Sequence, residues 1–140
     1  MDIASLVSKN YLTRIPPALD LADKEWAESE LDLEEASKEI RNKGYKWAII
    51  KSYYSMFHSA KAILFLMGLK EKSHYAVSEV LNCLSTDGKL ESRYVNDFKA
   101  GVSAREGADY HYSHEEKTAK DLFDIATEFV ERMRSLAKKL

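Results

Sequence analysis

Apolar residues recur at three- and four-residue steps along most of the chain, which is the spacing of one helix face. Residues 19–40 carry such a stripe opposite acidic side chains, so they predict an amphipathic helix that ends near Gly44. Residues 45–69 are apolar around most of their circumference, which predicts the central and most buried helix of a bundle. Small side chains on this helix, such as Ser55 and Ser59, are expected to let a neighbouring backbone come close.

Capping residues and glycines indicate the next two helices. Ser73 can cap a third helix, and Gly88 is expected to end it. A fourth helix is predicted from about Glu91, with its inner side apolar, to a break at Gly107.

The last helix is predicted to begin at Ser113. Ser113 and Glu116 have the spacing of a capping box, in which each side chain binds the free amide of the other residue. The whole pattern predicts an all-α fold: an N-terminal arm in residues 1–18, then an antiparallel bundle of four to five helices in residues 19–140.

Composition narrows this prediction to one domain. The chain has 140 residues, of which 45% are hydrophobic and 31% charged. Its net charge of −2 disfavours a broad nucleic-acid surface, but residues 38–51 concentrate basic side chains and leave room for a local basic cleft. A single cysteine, Cys83, excludes a disulfide framework. No secretory signal or membrane-spanning run is visible, so we expect a cytoplasmic protein without a membrane partner.

Three segments share the pattern of a known family. They are residues 53–62 (YYSMFHSAKA), residues 72–74 (KSH) and residues 105–110 (REGADY). In this order and spacing they resemble the HEPN proteins of prokaryotes, and the resemblance extends from about residue 19 to residue 135. It implies a helical bundle that forms a homodimer. It also implies pairing with a small nucleotidyltransferase, often as a toxin with its antidote.

The resemblance also implies candidate catalytic residues. Many HEPN relatives are ribonucleases that need no metal or other cofactor and use an Arg and a His separated by four to six residues; here Arg105 and His111 are separated by five. A histidine such as His111 can serve as base or acid near neutral pH, and Arg105 can grip a phosphate with two hydrogen bonds. Alternatively, Arg105 pairs with Asp109 one helical turn away, and His111 is a solvated loop residue.

Other side chains are candidates for binding nucleotide or RNA, or for supporting the site: Asp109, Tyr110, Tyr112, Tyr54 and His58. We expect His58 to be a core or interface histidine with one hydrogen-bond partner, because it lies inside the central helix. His74 follows the Ser73 cap directly and is expected to meet His58 across the bundle.

Two further patterns favour structure over chemistry. Four aromatic residues of the central helix are expected to pack in the core rather than stack on bases; they are Trp47, Tyr53, Tyr54 and Phe57. His111 and His114, with a neighbouring carboxylate, form an incomplete zinc set, so no metal site is predicted.

Three functions from different classes remain open. A toxin-like ribonuclease that acts on RNA is favoured by His111 at a permitted spacing. A non-catalytic module that binds a nucleotide or the nucleotidyltransferase partner is favoured by Glu106 beside Arg105 and by the acidic balance. A structural homodimer is the third, because the central and last helices carry more large apolar side chains than one small core needs.

Overall fold

The computed structural model describes residues 1–140 and contains six helices and one small antiparallel ribbon. The elements are α1 (Ile3–Ser8), β1 (Leu12–Arg14), α2 (Leu19–Arg41), α3 (Tyr45–Leu66), β2 (Leu69–Glu71), α4 (His74–Thr86), α5 (Ser92–Tyr110) and α6 (Glu116–Ala137). The predicted all-α bundle is confirmed. None of the six helices is both long and apolar enough to cross a membrane.

Helix α3 is the centre of the bundle. Fourteen of its 22 residues are buried, and it packs against α2, α4, α5 and α6. The prediction that the all-round apolar sequence forms the most buried helix is therefore confirmed. Trp47 is an exception to the predicted core, since 52% of it is exposed. It lies in the first turn of α3, where its ring contacts the Lys46 ammonium and is not enclosed by other helices.

The contact between α2 and α3 depends on small side chains, as predicted. Ser55 and Ser59 are fully buried at 0% exposure. Ser29 of α2 donates a hydrogen bond from its hydroxyl to the Ser55 carbonyl oxygen at 2.7 Å. Because no bulky side chain separates the two backbones, α2 is held directly against the central helix.

The N-terminal arm is built into the bundle. Strand β1 pairs with β2, and Leu6 and Leu12 of the arm lie in the core at 0% and 1% exposure. The sequence predicts the arm but not the strand β1 within it or its pairing with β2. Gly68, with φ +72°, makes the ribbon possible, because a Cβ there would lie 2.7 Å from the Ile15 carbonyl oxygen.

The connection between α5 and α6 differs from the prediction. Helix α5 continues through Gly107 and ends where Tyr112 adopts the left-handed conformation, with φ +54°. The predicted capping box is not formed, because the Ser113 amide donates to the Gly107 carbonyl oxygen and α6 begins only at Glu116. The Glu116 carboxylate instead accepts a hydrogen bond from the Tyr45 hydroxyl at 2.5 Å.

Candidate functional site

Arg105 is surrounded by aromatic rings on the side of α5 that faces α3. Its Cζ atom lies 5.9 Å from the ring centroid of Tyr53 and 5.7 Å from those of Tyr54 and Tyr110. Only 23% of the side chain is exposed. Aromatic faces attract a cation, so the three rings fix the position of the guanidinium.

Asp109 neutralises Arg105 without satisfying it. The Arg105 Nε atom lies 2.9 Å from Asp109 Oδ2, but this nitrogen is buried and has no aligned hydrogen-bond acceptor. Burial acts to lower the pKa of Arg105, yet Tyr54, Tyr110 and Asp109 raise it on balance, so the guanidinium stays charged. The ion pair that the sequence allowed is therefore present, and the role of Arg105 towards RNA stays a prediction.

His111 is exposed at the end of α5. Its backbone amide donates to the Gly107 carbonyl oxygen at 3.1 Å. Two residues six positions apart on a helix differ by about 240° in direction and about 9 Å in height. An ideal helix with this spacing would separate the two side chains, and His111 is itself the residue that follows α5. The neighbouring Tyr112 is 83% exposed.

A different histidine, His74, lies beside the Arg105 cluster. Its Nδ1 atom is 2.8 Å from the Tyr53 hydroxyl, and its ring stacks on Phe57 with centroids 4.2 Å apart. Burial and the charge of Arg105 lower the pKa of His74. The sequence correctly predicts that His74 follows the Ser73 cap. The contact expected with His58 is not the one formed, and the hydrogen bond with Tyr53 was not predicted.

A groove of about 400 Å³ opens next to His74, between α4 and α5. Seven residues line it: His74, Tyr75, Ser78, Lys99, Val102, Ser103 and Glu106. Glu106 is the neighbour of Arg105 in the chain, so the groove and the Arg105 cluster occupy the same part of α5.

His58 belongs to a separate ion network between α2 and α3. Its Nδ1 atom lies 2.6 Å from Glu25, and its Nε2 atom lies 3.7 Å from Asp32. Burial acts to raise the pKa of Glu25, but the hydrogen bond with His58 and the charge of Lys61 lower it on balance. His58 thus has a hydrogen-bond partner, as expected, and any role towards RNA or nucleotide stays a prediction.

The remaining candidates for metal or thiol chemistry are not assembled into a site. No group of three or more His, Cys, Asp or Glu side chains is placed to hold a metal ion. Cys83 is buried, and its thiol donates to the Met1 carbonyl oxygen at 3.1 Å.

Comparisons with known proteins agree with the motifs. A family model described as "HEPN domain" matches residues 23–136. A protein of Methanocaldococcus jannaschii named "Putative toxin MJ0605" is 27% identical over 138 residues, which cover 97% of this chain and 98% of the relative. The similarity to this relative therefore includes the N-terminal arm as well as the bundle.

Proposed function

This chain belongs to the HEPN domain family, and on that premise we propose that it is a toxin-like ribonuclease that cleaves RNA without a metal ion. Arg105 holds the phosphate and His111 exchanges a proton with the reacting oxygens. The toxin role is supported by the name of the archaeal relative, which resembles the chain over nearly its whole length.

The observation that carries this proposal is the state of the Arg105 guanidinium. Three aromatic rings fix it, Tyr54, Tyr110 and Asp109 favour its charged form, and its buried Nε atom lies 2.9 Å from Asp109 Oδ2. A charged, immobilised guanidinium that is still 23% exposed is suited to bind a phosphate, because charge-assisted hydrogen bonds to phosphate oxygens are strong and directional. Tyr54 and Tyr110 support the site by holding this group in place.

The position of His111 leads us to place the complete site in a homodimer. The residue is exposed at the end of α5, six positions after Arg105. A second copy that packs against this end of the molecule would bring the two residue types to one phosphate. The proposed partner that silences the toxin is a small nucleotidyltransferase, as in related pairs of this family.

The proposal is tested by an RNA-cleavage assay on the purified chain in a metal chelator. We expect cleavage by the natural protein and its loss in Arg105→Ala and His111→Ala. Arg93→Ala and His114→Ala are matched controls, since Arg93 lies on the exposed surface of α5 and His114 is exposed in the loop after it. A natural protein that leaves every RNA intact, or variants that all cleave equally, would contradict the ribonuclease function.

A second candidate function is supported by the pairing of Arg105 with Asp109. This ion pair satisfies the charge of Arg105 within the chain, and His111 has no role in it. On this hypothesis the protein is a non-catalytic module that binds a nucleotide or its nucleotidyltransferase partner. It predicts a stable complex with the nucleotidyltransferase and no cleavage of RNA by the free chain.

A further inference from the structure

We propose that His74 is a second catalytic acid–base residue of the Arg105 site, acting on RNA that lies in the groove between α4 and α5. This inference rests on the proposed ribonuclease function and assigns the proton-accepting step to a residue other than His111. His74 then takes the proton of the attacking 2′-hydroxyl, and His111 supplies a proton to the leaving oxygen.

His74 lies close to the aromatic rings that surround Arg105. The His74 ring lies 6.1 Å from the Tyr53 ring and 6.5 Å from the Tyr54 ring, centroid to centroid. Arg105 contacts the same two rings. His74 and Glu106, which follows Arg105 directly, also line one groove. His74 therefore shares two aromatic neighbours with the guanidinium and lies within reach of its charge.

The imidazole of His74 is held by a hydrogen bond with Tyr53 that leaves Nε2 free to react. The Tyr53 hydroxyl lies 2.8 Å from Nδ1, and burial raises the pKa of this hydroxyl, so it stays protonated and neutral. When Nδ1–H donates to the Tyr53 oxygen, Nε2 carries a lone pair that can accept a proton. The same hydrogen bond persists after Nε2 becomes protonated. Tyr53 is thus a positioning residue that suits both states of a base.

The surroundings of His74 favour its neutral form. Burial and the charge of Arg105 lower its pKa, Lys61 acts in the same direction, and Glu71 opposes them. Lys99 and Glu106 add one charge of each sign from α5. A base must be unprotonated before it acts, so these surroundings favour the accepting role.

The reaction step balances with these groups. Nε2 of His74 takes the proton of the 2′-hydroxyl, the 2′-oxygen forms a bond to phosphorus, and the bond from phosphorus to the 5′-oxygen breaks. The 5′-oxygen takes a proton from the His111 imidazolium, while Arg105 binds the phosphate oxygens. The products are a 2′,3′-cyclic phosphate and a 5′-hydroxyl, and no oxidant or metal ion takes part.

The test compares the natural protein with His74→Asn in chelator under single-turnover conditions, from pH 5 to pH 8. Asparagine can still offer an amide nitrogen to Tyr53, but it cannot exchange protons. We expect the cleavage rate to fall by about 10²-fold or more and its rise with pH at the acidic end to disappear. RNA affinity is expected to stay close to that of the natural protein, and the variant is expected to remain folded under the assay conditions. His114→Asn is the matched control and should keep the natural rate and pH profile.

The outcomes separate this inference from the proposed function. If the natural protein cleaves RNA and His74→Asn retains its rate and pH profile, the role of His74 is overturned while the ribonuclease function stands. If the natural protein does not cleave RNA, both are overturned. A second variant, Tyr53→Phe, removes the anchor of Nδ1 and should lower the rate and displace the acidic limb. An unchanged profile in that variant would contradict the positioning role of Tyr53.

Discussion

At the scale of single residues, Arg105 shows how one charge serves both packing and chemistry. Its guanidinium is enclosed by the rings of Tyr53, Tyr54 and Tyr110, and its Nε atom lies 2.9 Å from Asp109 Oδ2. A compact ammonium would keep the charge but not the planar fork that matches two phosphate oxygens. The site therefore depends on the shape of the cation as well as its sign.

We accordingly predict that Arg105→Lys fails nearly as badly as Arg105→Ala. RNA cleavage should fall by about 10²- to 10³-fold in both variants, because bidentate contacts to the phosphate are lost. Single-turnover rates in chelator measure this effect. Arg93→Lys is the control, since Arg93 forms an exposed ion pair with Glu128 and should retain full activity. An Arg105→Lys variant with near-natural activity would show that charge alone suffices.

His74 gives a stability prediction that needs no substrate. Its pKa in the folded chain lies below the ordinary 6.5, so the unfolded chain binds more protons at mildly acidic pH. The folded state therefore loses the contribution of His74 as the pH falls through 6.5 towards its lowered pKa. We expect the stability advantage of the natural protein over His74→Asn to shrink between pH 7.5 and about 5. Urea unfolding at each pH measures it, and a constant difference would contradict the lowered pKa.

At the scale of elements, the end of α5 decides where His111 lies. The amides of His111 and Ser113 both donate to the Gly107 carbonyl oxygen, and Tyr112 closes the turn with φ +54°. A residue with a Cβ in this conformation loses roughly 1–2 kcal/mol relative to glycine. The helix end is thus formed by a strained, exposed tyrosine.

Tyr112→Gly is expected to stabilise the protein. Relief of the left-handed conformation outweighs the extra chain entropy of glycine, which leaves a gain of about 0.5–1 kcal/mol. The melting temperature should rise by roughly 2–4 °C. Tyr110→Gly changes the last residue of α5, two positions earlier. This variant should instead have a lower melting temperature, because glycine disfavours a helix. A lower melting temperature for Tyr112→Gly would mean that its exposed ring makes a stabilising contact.

The helix ends also show what the sequence could and could not predict. Gly88 and the Ser73 cap lie where isolated signals placed them, because local backbone preferences decide those ends. In the sequence, Gly107 predicts a helix break, but α5 continues through it, because a glycine inside a helix costs only about 1 kcal/mol and packing against α3 offsets it. The strands β1 and β2 have three residues each, which is too short for an alternating pattern to appear.

In the candidate site, too, contacts within one helix were predictable and contacts between helices were not. The ion pair of Arg105 and Asp109 was predictable, because residues four apart on a helix are neighbours. The contact of His74 with Tyr53 joins residues 21 positions apart on different helices. No local spacing specifies which residues meet across a bundle, so only the packed structure reveals it.

At the scale of the whole molecule, the apolar side chains of one chain do not by themselves indicate a homodimer. The apolar side chains of α3 and α6 are largely buried in the core of one chain, so they do not require a partner. The homodimer now rests on the family and on the separation of Arg105 from His111. We predict a mass of twice the 16.0 kDa of one chain by light scattering at micromolar concentration. A monomer that cleaves RNA at the natural rate would place the complete site in a single chain.

The N-terminal arm is part of the common core. The sequence set residues 1–18 apart from the bundle, but Leu6 and Leu12 lie in the common core. The ribbon of β1 and β2 also leads directly into α4, since the Lys72 amide donates to the Tyr11 carbonyl oxygen two residues before His74. Damage to the arm should therefore destabilise the whole fold and not only its end.

Leu12→Ala is expected to lower the free energy of unfolding by about 2–5 kcal/mol, because it removes a fully buried side chain and leaves a cavity. Leu19→Ala is the matched control: Leu19 is 70% exposed, and its loss should change stability by less than about 0.5 kcal/mol. Urea unfolding followed by circular dichroism measures both. The Leu12→Ala transition should stay a single step, since arm and bundle share one core. Two separate transitions, or a Leu12→Ala effect as small as that of Leu19→Ala, would show that the arm is an independent appendage.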